Sequence, residues 1–176
     1  MDENCRIDKK VWDLVIDQGW LALDVPEEDG GLGFSNTDTA ILSEVLGYYM
    51  PIIPIFSSGV VFKQILMNSK KEKKDELLPE IISGEKIGTF AVYESDKYEI
   101  NKDTINTQLT TVDSGYILSG NKKYVMFGDV SDYIAVLAKH EDGCKFVLVS
   151  TNSDGVIIKE TTSLDQTRPM CDCLLY

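Results

Sequence analysis

The chain has 176 residues, with 29 Asp or Glu against 17 Lys or Arg and a formal net charge of -12. That acidic balance repels nucleic-acid phosphates and anionic lipid headgroups, so neither is an expected partner. With 43% of residues hydrophobic and 26% charged, the chain has enough apolar material for a core, its acidity is too dilute for disorder, and its length suits one domain or two small ones.

Residues 8–19 open the chain's ordered pattern: Val11, Trp12, Val15 and Ile16 recur at helical spacing, Asp8 stands where a cap is needed and Gly19 where the helix must end. The following stretch, 20–33, mixes apolar anchors with Pro26 and the glycines at 30, 31 and 33, and reads as a shaped connection held against a core. Over 36–49, Ile41, Val45 and Tyr48/Tyr49 repeat every three to four residues, with Asp38 and Glu44 on the polar side, which predicts a second helix. Ser57 or Ser58 is positioned to cap a third helix carrying Val61, Phe62, Ile65 and Leu66. The mixed-sign run 70–76 leads into a fourth, ending near Ile82-Ser83-Gly84, and reads as a solvated helix face and not a phosphate-binding patch.

From Lys86 onward the pattern turns to short β-prone pieces at 87–93, 105–112, 116–118, 123–126, 133–138, 145–149 and 156–159. Asp113-Ser114-Gly115, Glu141-Asp142-Gly143 and Asn152-Ser153-Asp154-Gly155 are reversal candidates. The expected architecture is α+β: a short helical domain over 1–85 followed by an antiparallel β-barrel or sandwich over 86–176. Neither a Gly-x-Gly-x-x-Gly nor a Walker loop supports an α/β nucleotide fold.

The longest apolar runs, such as 51–56, fall far short of the ~20 residues that cross a bilayer, and Met1-Asp2-Glu3-Asn4 lacks the basic flank of a signal peptide. No transmembrane segment and a cytoplasmic location are expected. Cys5, Cys144, Cys171 and Cys173 are even in number, but the chain exceeds the size of domains that depend on disulfides, so free thiols are expected. Cys171-Asp172-Cys173 offers at most two metal ligands, without a second pair or a nearby histidine, and no metal is expected. His140, beside Glu141-Asp142-Gly143, reads as a loop histidine without a catalytic or metal role.

Several strings resemble the N-terminal and middle portions of the acyl-CoA dehydrogenase family: Gly19-Trp20-Leu21-Ala22-Leu23-Asp24-Val25-Pro26-Glu27-Glu28-Asp29-Gly30-Gly31-Leu32-Gly33; Leu78-Pro79-Glu80-Ile81-Ile82-Ser83-Gly84-Glu85; and Phe90-Ala91-Val92-Tyr93-Glu94. The run 115–128, ending Tyr124-Val125-Met126-Phe127-Gly128, resembles the family's mid-domain hairpin, and Ala135-Val136-Leu137-Ala138 and Leu164-Asp165-Gln166-Thr167-Arg168 continue the likeness. The resemblance implies an α+β fold of that middle-domain type. It also implies FAD as cofactor, and FAD-dependent α,β-dehydrogenation of an acyl-CoA thioester as the activity, with flavin carrying the redox step. In the family FAD lies between the middle β-domain and a C-terminal helical domain that usually supplies the base, and the resemblance ends before that domain. Hence the expectation of an oxidoreductase fragment or subunit whose partner is a second copy or a complementary C-terminal helical subunit. The alternative is a non-catalytic scaffold or acyl-ligand-binding protein built on the same fold.

By the same resemblance the cofactor-facing residues are Phe90, Val92, Tyr93, Tyr124 and Met126. Tyr93 stands where a threonine is common, Ser95 where a proline is common, and Glu94-Ser95-Asp96-Lys97-Tyr98 replaces a glycine-serine stretch. Tyr124 stands at the family's tryptophan position, and Met126 at a threonine position whose hydroxyl a thioether cannot replace as donor. Glu94 is read as a structural or cofactor-proximal residue and not the base. Tyr93, Tyr124 and Phe127 also suit plain sheet packing, Asn121 and Lys122 suit shaping or solvating a hairpin, and Arg168 suits either an anionic substrate or an exposed ion pair.

Overall fold

The computed structural model describes residues 7–95, 100, 103–113 and 115–176, which leaves Cys5, Ser114 and most of the run that follows Ser95 outside the described residues. Its contacts divide the chain into Met1–Ile87 and Gly88–Tyr176. In the first unit, α1 (Lys9–Asp17) starts where Asp8 accepts the Val11 amide at 3.2 Å and buries Trp12 and Val15. It is followed by Gly19 in the left-handed region, at φ 68. The connection is shaped as its composition demands, with short 3₁₀ turns at Trp20–Ala22 and Glu27–Asp29 and with Leu21, Ala22 and Val25 buried. The amides of Leu32, Gly33 and Phe34 bond back to the carbonyls of Ala22, Val25 and Leu23. This closure requires Gly31, because a Cβ there would stand 2.1 Å from the Val25 carbonyl oxygen.

Helix α2 (Asn36–Tyr49) starts where the Asp38 carboxylate accepts from both the amide and the hydroxyl of Ser35, at 2.9 and 2.6 Å. The predicted apolar stripe exists but lies on the surface: Ile41 is 58%, Val45 49%, Tyr48 82% and Tyr49 75% exposed. The third helix differs from expectation. The chain enters a wide π-helical segment at Ile55–Phe62 and tightens into α3 (Lys63–Met67). Ser57 and Ser58 therefore do not cap a helix; both are buried inside one. The turn begins earlier, at Pro54, whose carbonyl accepts the Ser58 amide at 2.8 Å and the Ser57 hydroxyl at 3.2 Å.

Helix α4 (Lys71–Ile82) buries Leu77, Leu78 and Ile81 and turns its charges outward. Lys73 pairs with Glu76 at 2.7 Å and Lys74 with Asp29 at 2.6 Å, so the basic run is a structural surface. Trp12, Val15, Leu21 and Ile53 form the centre of the unit's core. Beside it Lys63 is fully buried, donating to the Leu21 carbonyl at 3.0 Å and to the Asp24 carboxylate. This buried pair fastens the start of α3 to the connection.

The second unit is a curled mixed sheet of β1 (Gly88–Ala91), β2 (Gln108–Val112), β3 (Gly115–Met126), β4 (Tyr133–His140), β5 (Gly143–Ser150), β6 (Val156–Thr161) and β7 (Met170–Leu175). The order is β1-β4-β2-β3-β7-β6, with β5 paired to the remaining edge of β4. Pairing is antiparallel except where β4 meets β1 and β2. Two expectations change. The run 115–126 is one long strand and not a hairpin: its first half pairs with β2 and its second half, from Gly120, with β7. Asn152-Ser153-Asp154-Gly155 does not close a hairpin either, since β5 pairs with β4 while β6 pairs with β7.

Gly120 makes the change of partner possible. A Cβ at that position would lie 2.4 Å from the Thr107 hydroxyl and 2.8 Å from its Cα. Ala91, Val125, Ile134, Val136, Cys173 and Leu175 form the core of the sheet. Strand β7, unpredicted, alternates buried Cys171, Cys173 and Leu175 with half-buried neighbours. The Cys-x-Cys spacing is therefore a strand's two-residue period, and neither cysteine is in a disulfide. Among the described residues no helix is long and apolar enough to cross a membrane, and no group of three or more His, Cys, Asp or Glu converges as a metal site.

Candidate functional site

The end of β1 and the end of β3 are held together by short bonds. The Thr89 hydroxyl donates to the Met126 carbonyl at 2.6 Å, the Lys123 amide donates to the Tyr93 carbonyl at 2.8 Å, and the Lys122 ammonium donates to the Val92 carbonyl at 3.2 Å. These bonds bring together the two segments that carry Phe90, Val92, Tyr93, Tyr124 and Met126. Phe90 alternates with the buried Thr89 and Ala91, so it faces away from them. Phe90, Val92, Tyr93 and Met126 are half-buried.

Between Lys122 and Val125 the register with β7 slips, forming a bulge. Tyr124 sits in it at φ 58, an uncommon conformation for a side chain of its size, and is 40% exposed beside the fully buried Val125. Phe127, at φ 53, is buried, with its amide donating to the Pro169 carbonyl at 2.8 Å. The bulge thus aims Tyr124 outward, and the turn after it takes Phe127 into the core.

Glu94 and Lys122 lie behind this edge. The Glu94 carboxylate accepts from the Lys122 ammonium at 2.7 Å and from the amides of Asn106 and Thr107 at 2.6 and 2.9 Å. The two side chains are 0% and 9% exposed for lysine and glutamate. Burial alone would raise the Glu94 pKa, but the ammonium and the amides outweigh it and hold it down to about 2. Burial pushes Lys122 below its ordinary value against the opposing pull of Glu94. A carboxylate so strongly ionised and engaged is a poor proton acceptor at neutral pH, in keeping with its reading as structural. Lys122 is no solvated hairpin residue: its exposure is nil.

The other singled-out residues fall elsewhere. His140 is the last residue of β4 and not a loop residue. Its ring contacts the Thr111 hydroxyl at 3.2 Å and the Asp142 carboxylate at 2.6 Å. Arg168 stands 3.7 Å from Asp165 with both side chains exposed, the ion-pair arrangement. Burial pushes the Cys173 thiol up to about 11, which keeps it protonated and unreactive. The residues that sequence reasoning missed are Lys122, as partner of Glu94, and the Lys63–Asp24 pair. Their partners lie 28 and 39 positions away in the chain, and no local pattern announces them.

Residues 1–85 match the family model described as the N-terminal domain of acyl-CoA dehydrogenase. The chain is 30% identical over 141 residues to the mitochondrial very long-chain specific acyl-CoA dehydrogenase of Bos taurus, covering 76% of this chain and 21% of that protein. It is also 30% identical over 151 residues to a probable acyl-CoA dehydrogenase of Bacillus subtilis, covering 82% of this chain and 24% of that one. Among solved structures it superposes on a chain of the ChsE4-ChsE5 complex from Mycobacterium tuberculosis with a TM-score of 0.85 and 25% identity, over 99% of this chain and 46% of that chain. On the glutaryl-CoA dehydrogenase of Mycobacterium smegmatis in complex with FADH2, the TM-score is 0.80 at 20% identity, over 97% of this chain and 45% of that one.

The chain thus spans less than a third of the length of these curated relatives and about half of each solved chain. With helices, curled mixed sheet and motif order all in agreement, the chain belongs to the acyl-CoA dehydrogenase superfamily, of which it carries the N-terminal helical domain and part of the middle β-domain.

Proposed function

We propose that this chain forms the flavin-side portion of an FAD-dependent oxidoreductase that desaturates an acyl-CoA thioester, and that a complementary helical chain supplies the facing wall and the base. The observation that carries the proposal is the joined edge of β1 and β3. There Phe90, Val92, Tyr93, Tyr124 and Met126 are gathered by three backbone-directed bonds, in a fold otherwise met in FAD-dependent enzymes.

The edge fits the group in a particular way. Aromatic and aliphatic side chains suit the flat face of an isoalloxazine ring. The Tyr93 and Tyr124 phenols carry the side-chain hydroxyl donors of the set, since Met126 has none. When bound, FAD supplies hydride acceptance. The chain's own contribution is to place the ring and keep water from one face, with Glu94 fixed in its ion pair and withheld from proton transfer. The mycobacterial relative is met as a ChsE4-ChsE5 complex, which supports assembly with a second chain here. Cys144, Cys171 and Cys173, none of them in a disulfide, support a reducing compartment, which we take to be the cytoplasm.

The test is to purify the 176-residue chain alone and together with polypeptides encoded beside it, then record flavin absorbance and its bleaching by acyl-CoA. Retained flavin that bleaches in at least one combination is the expected result. No flavin and no bleaching in any combination would overturn the enzyme reading. If calorimetry then detected acyl-CoA binding to the chain alone, an acyl-ligand-binding scaffold would stand in its place.

A further inference from the structure

One buried carboxylate lies where the segments that carry the candidate flavin edge meet. Glu94 stands just past β1, and its oxygens accept from three directions: Lys122 on β3, and the amides of Asn106 and Thr107 where the chain enters β2. The carboxylate thus ties the exit of β1 to the entry of β2. Lys122 divides its donors between Glu94 and the Val92 carbonyl. Next to it, the Lys123 amide holds the Tyr93 carbonyl. Both edge residues of the β1 exit are thus gripped through their backbone by consecutive residues of β3. Gly120 brings Thr107 and β3 close enough for the grip to reach.

We propose that Glu94 and Lys122 are positioning residues: their buried ion pair sets the backbone of Val92 and Tyr93 against the Tyr124 bulge, and so sets the surface offered to the flavin. The proposal rests on the functional reading above for the identity of the ligand, but not for the grip itself. A pair that served stability alone would be replaceable by any neutral pair that packs. A positioning pair is not replaceable that way, because Val92 loses its donor whatever restores stability.

Three forms of the full chain separate these readings: Glu94→Gln, Lys122→Met, and the two combined. Thermal unfolding is expected to show both single variants destabilised, Glu94→Gln leaving the Lys122 charge without its counter-ion and Lys122→Met leaving both the Glu94 carboxylate and the Val92 carbonyl short of a donor, and the double variant recovering the part of the loss that came from a stranded charge. Hydrogen exchange of the Lys123 amide, which reports its bond to Tyr93, is expected to quicken about tenfold or more in all three forms while the amides between β4 and β5 keep their protection. Titration with FAD alone is expected to weaken by a similar factor in the double variant despite its partly recovered stability.

A double variant that recovers stability while keeping the wild-type exchange rate at Lys123 would overturn the proposal. Double-variant stability that stays low, with slow Lys123 exchange, would do the same. If wild-type chain bound no FAD, the functional reading would fail, and the exchange data would still decide the grip.

Discussion

Among the described residues two lysines are wholly buried, and each is answered by a carboxylate: Lys63 by Asp24 and Lys122 by Glu94. Removing one partner strands the other charge in the core, a change that costs about 3–5 kcal/mol in comparable buried pairs. Lys63→Met should therefore lower stability markedly in denaturant unfolding, while Lys63→Met combined with Asp24→Leu should recover most of the loss. Recovery is expected because desolvation consumes much of what such a pair gains.

The pH dependence follows from Glu94. Its pKa falls from an ordinary 4.5 to about 2 on folding, so the unfolded chain binds the proton more readily. The stability it contributes is complete above about pH 4.5 and is lost as the pH falls toward 2. Acid unfolding followed between these limits should be shallower in Glu94→Gln than in the wild type. These pairs were not legible in the sequence, where Lys122 reads as an ordinary turn lysine and Glu94 as a residue at a strand end. Only the fold brings positions so far apart in the chain into one buried contact.

At the scale of elements, the helices were legible because their apolar spacing is local. Helix α2 begins and ends where its pattern does, and α4 stops at Ile82 as its Ser83-Gly84 end suggests. The sequence did not disclose which way a stripe faces. The α2 stripe is exposed, so Tyr48→Ser should change the unfolding free energy of the isolated chain by less than about 0.5 kcal/mol, as surface substitutions do.

The sheet was harder to read where strands change partners. Gly120-Asn121 looks like a turn, yet Gly120 lets a single strand pass Thr107 and exchange β2 for β7. Gly120→Ala should lower the unfolding midpoint, because the added methyl meets the Thr107 backbone as well as its side chain; an unchanged midpoint would refute that close approach. Strand β7 escaped notice because cysteine at alternate positions suggests chemistry before it suggests packing. In the structure these cysteines behave as small apolar core residues.

At the scale of the whole molecule, family strings located the candidate edge on two segments far apart in the chain, and the structure ties those segments together. What local pattern could not supply was the means of that joining, which depends on a buried ion pair and a bulge. The central claim is that this edge is one wall of a flavin site completed by a second helical chain. The most direct measurement is the visible absorption of the flavin retained by the 176-residue chain assembled with its complementary helical chain, recorded anaerobically as acyl-CoA is added. Bound oxidised flavin that bleaches in proportion to added acyl-CoA, and does so less readily when Tyr124 is replaced by Ala, is the result the account predicts. An assembly that forms without flavin, or whose flavin is indifferent to acyl-CoA, would contradict it.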